Sequence, residues 1–318
     1  MISIIIPIYN EAETLPMLYD RLISVIPFCG DRCEIIFVDD GSSDASMEIM
    51  KRFIAKSSDI RVVKLSRNFG HQAAISAGLK HAAGDAVAIM DGDLQDPPEE
   101  LPRFLQKWRE GYDVVYAVRT ERKEGSLKRL AYGGFYRFLG LVSDIQIPLD
   151  AGDFCVMDRR VVQVLNEELP ERVRFVRGLR SYAGFKQTGL KYERHQRAAG
   201  EVKYTFRKLV KLALDGIFGF TLLPLKMATY AGVFIALSSF LLGMLYLTAR
   251  IFNFSVFGTS AQDVPGFTTL AVGVFFLGGI VLVFMGILGE YIGRIYIEVK
   301  KRPLYIVDEV IKNSDSRD

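Results

Sequence analysis

Ala86-Val-Ala-Ile-Met-Asp-Gly-Asp-Leu-Gln-Asp-Pro-Pro-Glu-Glu100 decides the fold. It begins as an apolar run of strand length and ends in two carboxylates one residue apart, Asp91 and Asp93, followed by Gln95 and Asp96. Pro97 and Pro98 then stop any strand. Buried parallel strands read as such apolar runs. Ligands of open α/β sheets bind beyond the carboxyl ends of the strands. Hard oxygens gathered at that edge suit Mg²⁺ or Mn²⁺, which are held by one or two carboxylates plus substrate phosphates. A solvated acidic turn has the same local sequence, so the neighbouring segments decide between the two.

Upstream, strand and helix patterns alternate. Strands are expected at 2–8, 34–38 and 60–65, before the one at 86–90, and a fifth at 113–118. Helices are expected at 13–25, at 45–56 with Asp44 as its cap, and at 71–82, where small residues allow close packing. This rhythm implies a parallel sheet with helices on both faces. Tyr9-Asn10-Glu11, Asp39-Asp40-Gly41, Arg67-Asn68 and Asp91-Gly92-Asp93 all follow strand ends, so a parallel sheet sets them along one edge as a ligand site. No G-x-G-x-x-G or G-x-x-x-x-G-K-[ST] follows the first strand, which disfavours dinucleotide and P-loop readings.

Downstream, residues 119–150 turn basic through Arg119, Arg122, Lys123, Lys128, Arg129 and Arg137. That stretch reads as a solvated face, an active-site lid or a membrane-facing surface. Gly152 places Asp153 at the mouth of a short apolar run, a setting for a reactive carboxylate. A helix is expected at 161–169, and 172–178 forms a second basic run. Residues 204–220 carry Arg207, Lys208 and Lys211 opposite an apolar face, as interfacial helices do. Two uncharged stretches, 228–249 and 267–289, each reach the roughly 20 residues that span a bilayer. Basic residues flank the pair and one lies between them, so the positive-inside rule makes both flanks cytoplasmic. Past Asp308 the chain is polar and reads as frayed.

Composition agrees. The chain has 318 residues, half of them apolar, with mean hydropathy +0.19, which allows about two domains and points to a membrane segment. A net charge of +3 implies no nucleic-acid partner. Cys29, Cys33 and Cys155 are too few and too uneven for a disulfide framework or a zinc site and fit a reducing cytosolic face. The first residues lack the basic region and cleavage site of a signal peptide. The expected organisation is a cytosolic domain at 1–203, an amphipathic interfacial region at 204–226, transmembrane helices at 227–250 and 266–290 joined by an extracytoplasmic loop at 251–265, and a cytosolic tail at 291–318.

Ile4-Ile-Ile-Pro-Ile-Tyr-Asn-Glu11, Val38-Asp-Asp-Gly-Ser-Ser-Asp44, Arg67-Asn-Phe-Gly70 and Asp91-Gly-Asp-Leu-Gln-Asp-Pro-Pro-Glu99 resemble the GT-A-fold, family 2 glycosyltransferases. More narrowly, the whole chain resembles the polyisoprenyl-phosphate type, which includes the bacterial GtrB-type glucosyltransferases and relatives of dolichol-phosphate mannose synthase. The resemblance implies an α/β GT-A domain with a mostly parallel sheet and a two-helix transmembrane hairpin. It implies that Pro7, Tyr9, Glu11, Asp39, Asp40, Arg67 and Asp91 hold the nucleotide, and that Asp91, Asp93 and Gln95 meet Mg²⁺ or Mn²⁺ and the diphosphate. Arg119, Arg197, Lys203 and Tyr204 then serve the acceptor phosphate, and Asp93, Asp153, Arg122 and Arg197 the catalysis. The implied reaction is inverting transfer of a sugar, glucose as the best reading, from a UDP-sugar to undecaprenyl phosphate. It would take place at the cytoplasmic face of the plasma membrane, in a homo-oligomer (dimer or tetramer) with both termini cytoplasmic. A sugar-lipid transporter with a sensor domain and a processive polysaccharide synthase are the alternatives. The lone Trp108 stands far from any Gln-x-x-Arg-Trp position, which argues against the synthase.

Overall fold

The structure, a computed structural model, describes residues 1–119, 151–172, 174–192, 223–252 and 266–313. They fall into two units. One holds the N-terminal residues and the segment after Lys301; the other holds the two long helices.

The first unit is built on an eight-stranded mixed sheet. Its elements are β1 (Ile2–Ile8), α1 (Leu15–Val25), β2 (Cys33–Asp39), α2 (Ser46–Lys56), β3 (Ile60–Leu65), α3 (His71–His81), β4 (Ala86–Ile89), α4 (Leu101–Arg109), β5 (Val114–Arg119), β6 (Ala151–Asp158), α5 (Arg159–Gln163), α6 (Val176–Tyr182), β7 (Gln187–Tyr192) and, from the far end of the chain, β8 (Val307–Lys312). The strand order is β7-β5-β6-β4-β1-β2-β3-β8. β1 to β5 and β7 point the same way, whereas β6 and β8 run against their neighbours.

The apolar runs explain the centre. Every residue of β1, β2 and β4 is buried, as strands covered on both faces must be. α1 buries Leu15, Leu18, Tyr19, Leu22 and Val25, one stripe at helical spacing, and Tyr19 stacks on Phe53 of α2 at 4.1 Å. α3 lies closer still. A Cβ on Gly78 would come within 2.2 Å of Ile5, so the small-residue helix can approach β1 as a bulkier one could not.

The sheet is mostly parallel, as expected, with β6 entering between β4 and β5 in the opposite sense. Two other expectations need correction. The helix expected at 161–169 starts at Arg159 and widens into a π-turn over Val164–Glu168. The segment read as a frayed tail pairs antiparallel with β3, Val63 opposite Val310, and the Ser66 N–H donates to the Ile306 carbonyl at 3.0 Å. Its Asp308 and Glu309 are tolerated because β8 is an edge, where charge is expected.

The second unit consists of α7 (Leu223–Phe252) and α8 (Gly266–Val299), about 45 and 51 Å long at the α-helical rise. Pro224–Leu242 and Phe276–Val299 are long and apolar enough to cross a membrane. Their large side chains stand exposed, among them Tyr230, Phe234, Phe240, Leu241, Leu282 and Met285. Helices apolar on every side suit lipid as a solvent.

Candidate active site

Each carboxylate-bearing loop follows a strand at the carboxyl edge of the sheet, and the loops are tied to one another. The Asn10 N–H donates to Ser42 Oγ at 3.0 Å, and the Ser43 N–H donates back to Asn10 Oδ1 at 2.8 Å. Asn10 takes a positive φ of 54°, which asparagine tolerates. Thr14 Oγ1 donates to the Gly92 carbonyl at 3.0 Å, joining the first loop to the Asp91–Asp93 turn.

Asp39 and Asp40 are buried. Asp39 Oδ1 accepts from the Ser42 N–H at 3.1 Å. Asp40 takes the Phe69 N–H on Oδ1 at 2.7 Å and the Gly70 N–H on Oδ2 at 2.9 Å. Burial raises the Asp40 pKa and these two bonds oppose the rise. Gly41, with φ of +72°, lets the two loops touch: a Cβ there would lie 2.6 Å from the backbone of Arg67 and Asn68. Asp44, expected as the cap of α2, sits one residue too early to be one. It accepts from the Ser46 and Ala12 N–H groups instead.

The other half of the edge is ionic. β6 runs backwards, so its first residues arrive where β4 ends. The register Ile89 to Cys155, carried two residues on, sets Asp153 opposite Asp91. Like charges there repel, and two cations meet them. His71, the first residue of α3, places Nε2 3.4 Å from Asp91 Oδ1 and 3.7 Å from Asp153 Oδ2. Arg177 of α6 grips Asp153 at two points, Nε to Oδ1 at 2.6 Å and Nη2 to Oδ2 at 2.7 Å. Burial alone would neutralise Asp153, but the Arg177 charge and its hydrogen bonds hold the carboxyl well below its usual range. Burial likewise disfavours charge on His71, and the Asp153 hydrogen bond with the Asp91 charge outweighs it, raising the pKa to about 9. Burial lifts Asp91 to about 6 even with His71 beside it.

Pro7 is buried in β1 opposite Val38. Tyr9 is exposed, Glu11 lies beside it in the same loop, and the Arg67 guanidinium lies 4.0 Å from the centre of the Phe69 ring. Asp93 Oδ1 accepts from the Gln95 N–H at 3.1 Å, across Leu94 at a φ of 60°. Asp96 is buried and accepts from the Tyr192 hydroxyl. Arg119 ends β5; its side chain lies outside the described residues, as do Arg122, Arg197, Lys203, Tyr204, the 204–220 amphipathic stretch and most of the loop expected between the spans.

Asp91, Asp93 and Gln95 form a hard-oxygen set. Among the described residues no three His, Cys, Asp or Glu side chains are grouped to hold a metal by themselves. His71 and Arg177 escaped the sequence reading, and both had signals. A histidine opens a helix whose N-terminus faces the polar edge, and Arg177 stands at three-residue spacing from Arg174 and Arg180.

Residues 3–165 match the family described as Glycosyl transferase family 2. Over 308 residues the chain is 45% identical to the uncharacterized glycosyltransferase YkcC of Bacillus subtilis, covering 96% of this chain and 93% of that one. It is 41% identical to the SfII prophage-derived bactoprenol glucosyl transferase of Shigella flexneri, covering 96% and 97%. It is 39% identical to a prophage bactoprenol glucosyl transferase homolog of Escherichia coli, covering 98% and 99%.

Proposed function

The chain belongs to glycosyl transferase family 2 and is a glycosyltransferase; on that premise we propose that it moves glucose from UDP-glucose to undecaprenyl phosphate, with inversion, at the cytoplasmic face of the plasma membrane. One observation carries the reading. A domain whose carboxyl edge gathers Asp39, Asp91 and Asp153 shares its chain with two helices of membrane length. The names of the Shigella and Escherichia relatives support the lipid acceptor and the glucose.

Pro7, Tyr9, Glu11, Asp39 and Arg67 line the nucleotide side, with Asp40 bracing the loop that carries Arg67. Asp91, Asp93 and Gln95 would hold Mg²⁺ or Mn²⁺, which would supply Lewis acidity toward the charge of the departing diphosphate. The acceptor needs no strong base, because a phosphate monoester, with a second pKa near ~6, is largely ionised at neutral pH. Asp153, kept ionised by Arg177, orients groups in the pocket. Arg119, Arg197, Lys203 and Tyr204 serve the acceptor phosphate, and Arg122 and Arg197 serve the catalysis. In-line attack on the anomeric carbon turns an α-linked donor into a β-linked product. The chain spans the membrane twice with both termini cytoplasmic and works as a homo-oligomer.

The test is a donor screen. Purified protein in detergent is given undecaprenyl phosphate, Mg²⁺ or Mn²⁺ and labelled UDP-glucose, UDP-galactose, UDP-N-acetylglucosamine or GDP-mannose in turn, and organic-phase label is counted. Label transferred from UDP-glucose alone is expected. Transfer from another donor overturns the sugar assignment, and no sugar-lipid from any donor overturns the acceptor.

A further inference from the structure

Arg174, Arg177 and Arg180 recur every third residue through the start of α6, and of these, among the described residues, only Arg177 is ion-paired. Arg174 donates to the carbonyls of Leu169 and Leu165 at 2.5 and 2.8 Å. Arg180 is buried, donates to the Gly152 carbonyl at 3.3 Å and lies 5.1 Å from the centre of the Tyr116 ring. Both are fixed to backbone. Arg177 reaches a carboxylate, Asp153, and it is the more open partner: 24% of its side chain is exposed against 12% for Asp153. The helix beneath it is anchored independently, because Gln72 Oε1 accepts from the Val176 N–H at 2.9 Å. The guanidinium can therefore change partner by rotating its own side chain.

A guanidinium fork fits a phosphate as well as a carboxylate. A phosphate monoester carries about −1.5 to −2 charge at neutral pH against −1 for Asp153, so it competes favourably for the same two N–H groups. Resting on the acceptor assigned above, we propose that Arg177 is a phosphate-responsive latch: the acceptor's phosphate monoester draws the guanidinium off Asp153, and Asp153 passes to His71, 3.7 Å away. Each anion keeps a cation throughout. The exchange releases Asp153 toward the pocket only when an acceptor is seated, so donor and water alone meet an incomplete site, as in other induced-fit transferases. Arg177 is in this sense a positioning residue for Asp153 and a contact for the acceptor.

Full-length protein in detergent is titrated by calorimetry with farnesyl phosphate, with farnesol as the control for the tail and UDP as the control for a diphosphate. Asp153→Asn removes the competing carboxylate charge and is expected to bind farnesyl phosphate ~5-fold tighter than wild type, while Arg177→Ala binds ~10-fold more weakly. UDP affinity stays constant in both. Arg177→Ala leaves Asp153 as a buried lone charge and risks misfolding. The double variant Asp153→Asn/Arg177→Ala avoids that and is expected to match Arg177→Ala in weak phosphate binding. Equal farnesyl phosphate affinity in wild type, Asp153→Asn and the double variant overturns the latch and leaves the acceptor assignment standing. Changes confined to the UDP arm also overturn it, by moving Arg177 to the donor. No farnesyl phosphate binding by wild type, with UDP still bound, overturns the acceptor reading and the latch together.

Discussion

The two halves of the sheet edge handle negative charge in opposite ways. Beyond β2, the buried carboxylates of Asp39 and Asp40 are met by backbone N–H groups of Ser42, Phe69 and Gly70. Beyond β4 and at the start of β6, Asp91 and Asp153 are met by the side chains of His71 and Arg177. A backbone donor is fixed by the fold and cannot leave. A side-chain cation can be exchanged for a metal or a substrate group. The first half therefore reads as architecture that shapes a pocket, and the second as the part that changes during a reaction.

If that division holds, stability and activity separate by position. Asp93→Ala, in the second half, is expected to cut sugar-lipid formation at least ~100-fold through loss of metal-assisted charge neutralisation, with Tm unchanged. A matching fall in Tm would show that Asp93 is architectural and would erase the contrast. Asp40→Ala is the mirror experiment. It strands two N–H groups and is expected to cost about 2–4 kcal/mol in unfolding free energy, while Asp40→Asn, which keeps one acceptor, loses roughly half as much. Gly41→Ala sharpens the same point without touching a charge: the positive φ and the 2.6 Å approach to the Arg67–Asn68 backbone predict a loss of about 1–3 kcal/mol, read by chemical denaturation.

The smallest effect is one of pH. His71 titrates near 9 in the folded protein against an ordinary 6.5. A group whose folded pKa is raised contributes stability that is complete below its unfolded pKa and lost as pH rises through the folded one. Tm of metal-free protein should therefore fall between pH 6.5 and 9, and His71→Gln should flatten that fall. Asp91, raised to about 6, acts below this window, so the two are distinguishable. Parallel curves for wild type and His71→Gln would place the titrating group elsewhere.

The architectural half was the more legible in sequence. β1 to β4 announce themselves as apolar runs closed by polar clusters, and β3 falls at the expected residues. Asp91 and Asp93 were visible as an acidic pair after a strand. The pairing of Arg177 and His71 with Asp153 was not, because it depends on β6 running backwards, a fact of topology that no local pattern encodes. Arg177 looked like one charge in a basic run, since its partner lies 24 residues away on a different element. β8 was hidden for a related reason. Val-Asp-Glu-Val-Ile-Lys over Val307–Lys312 is too acidic to read as a buried strand, and it is a strand only as an exposed edge.

β8 also sets the order in which the protein can be finished. The edge of β3 that it covers is synthesised by Leu65, and the covering strand begins at Val307, after both long apolar helices. At translation speeds of about 5–20 residues per second the nascent chain carries that open edge for roughly 12 to 48 s, with an unpaired strand that invites association with other chains. The sheet can be closed only after α7 and α8 have left the ribosome. Completion of the catalytic domain is thereby made to wait until the apolar helices have been produced.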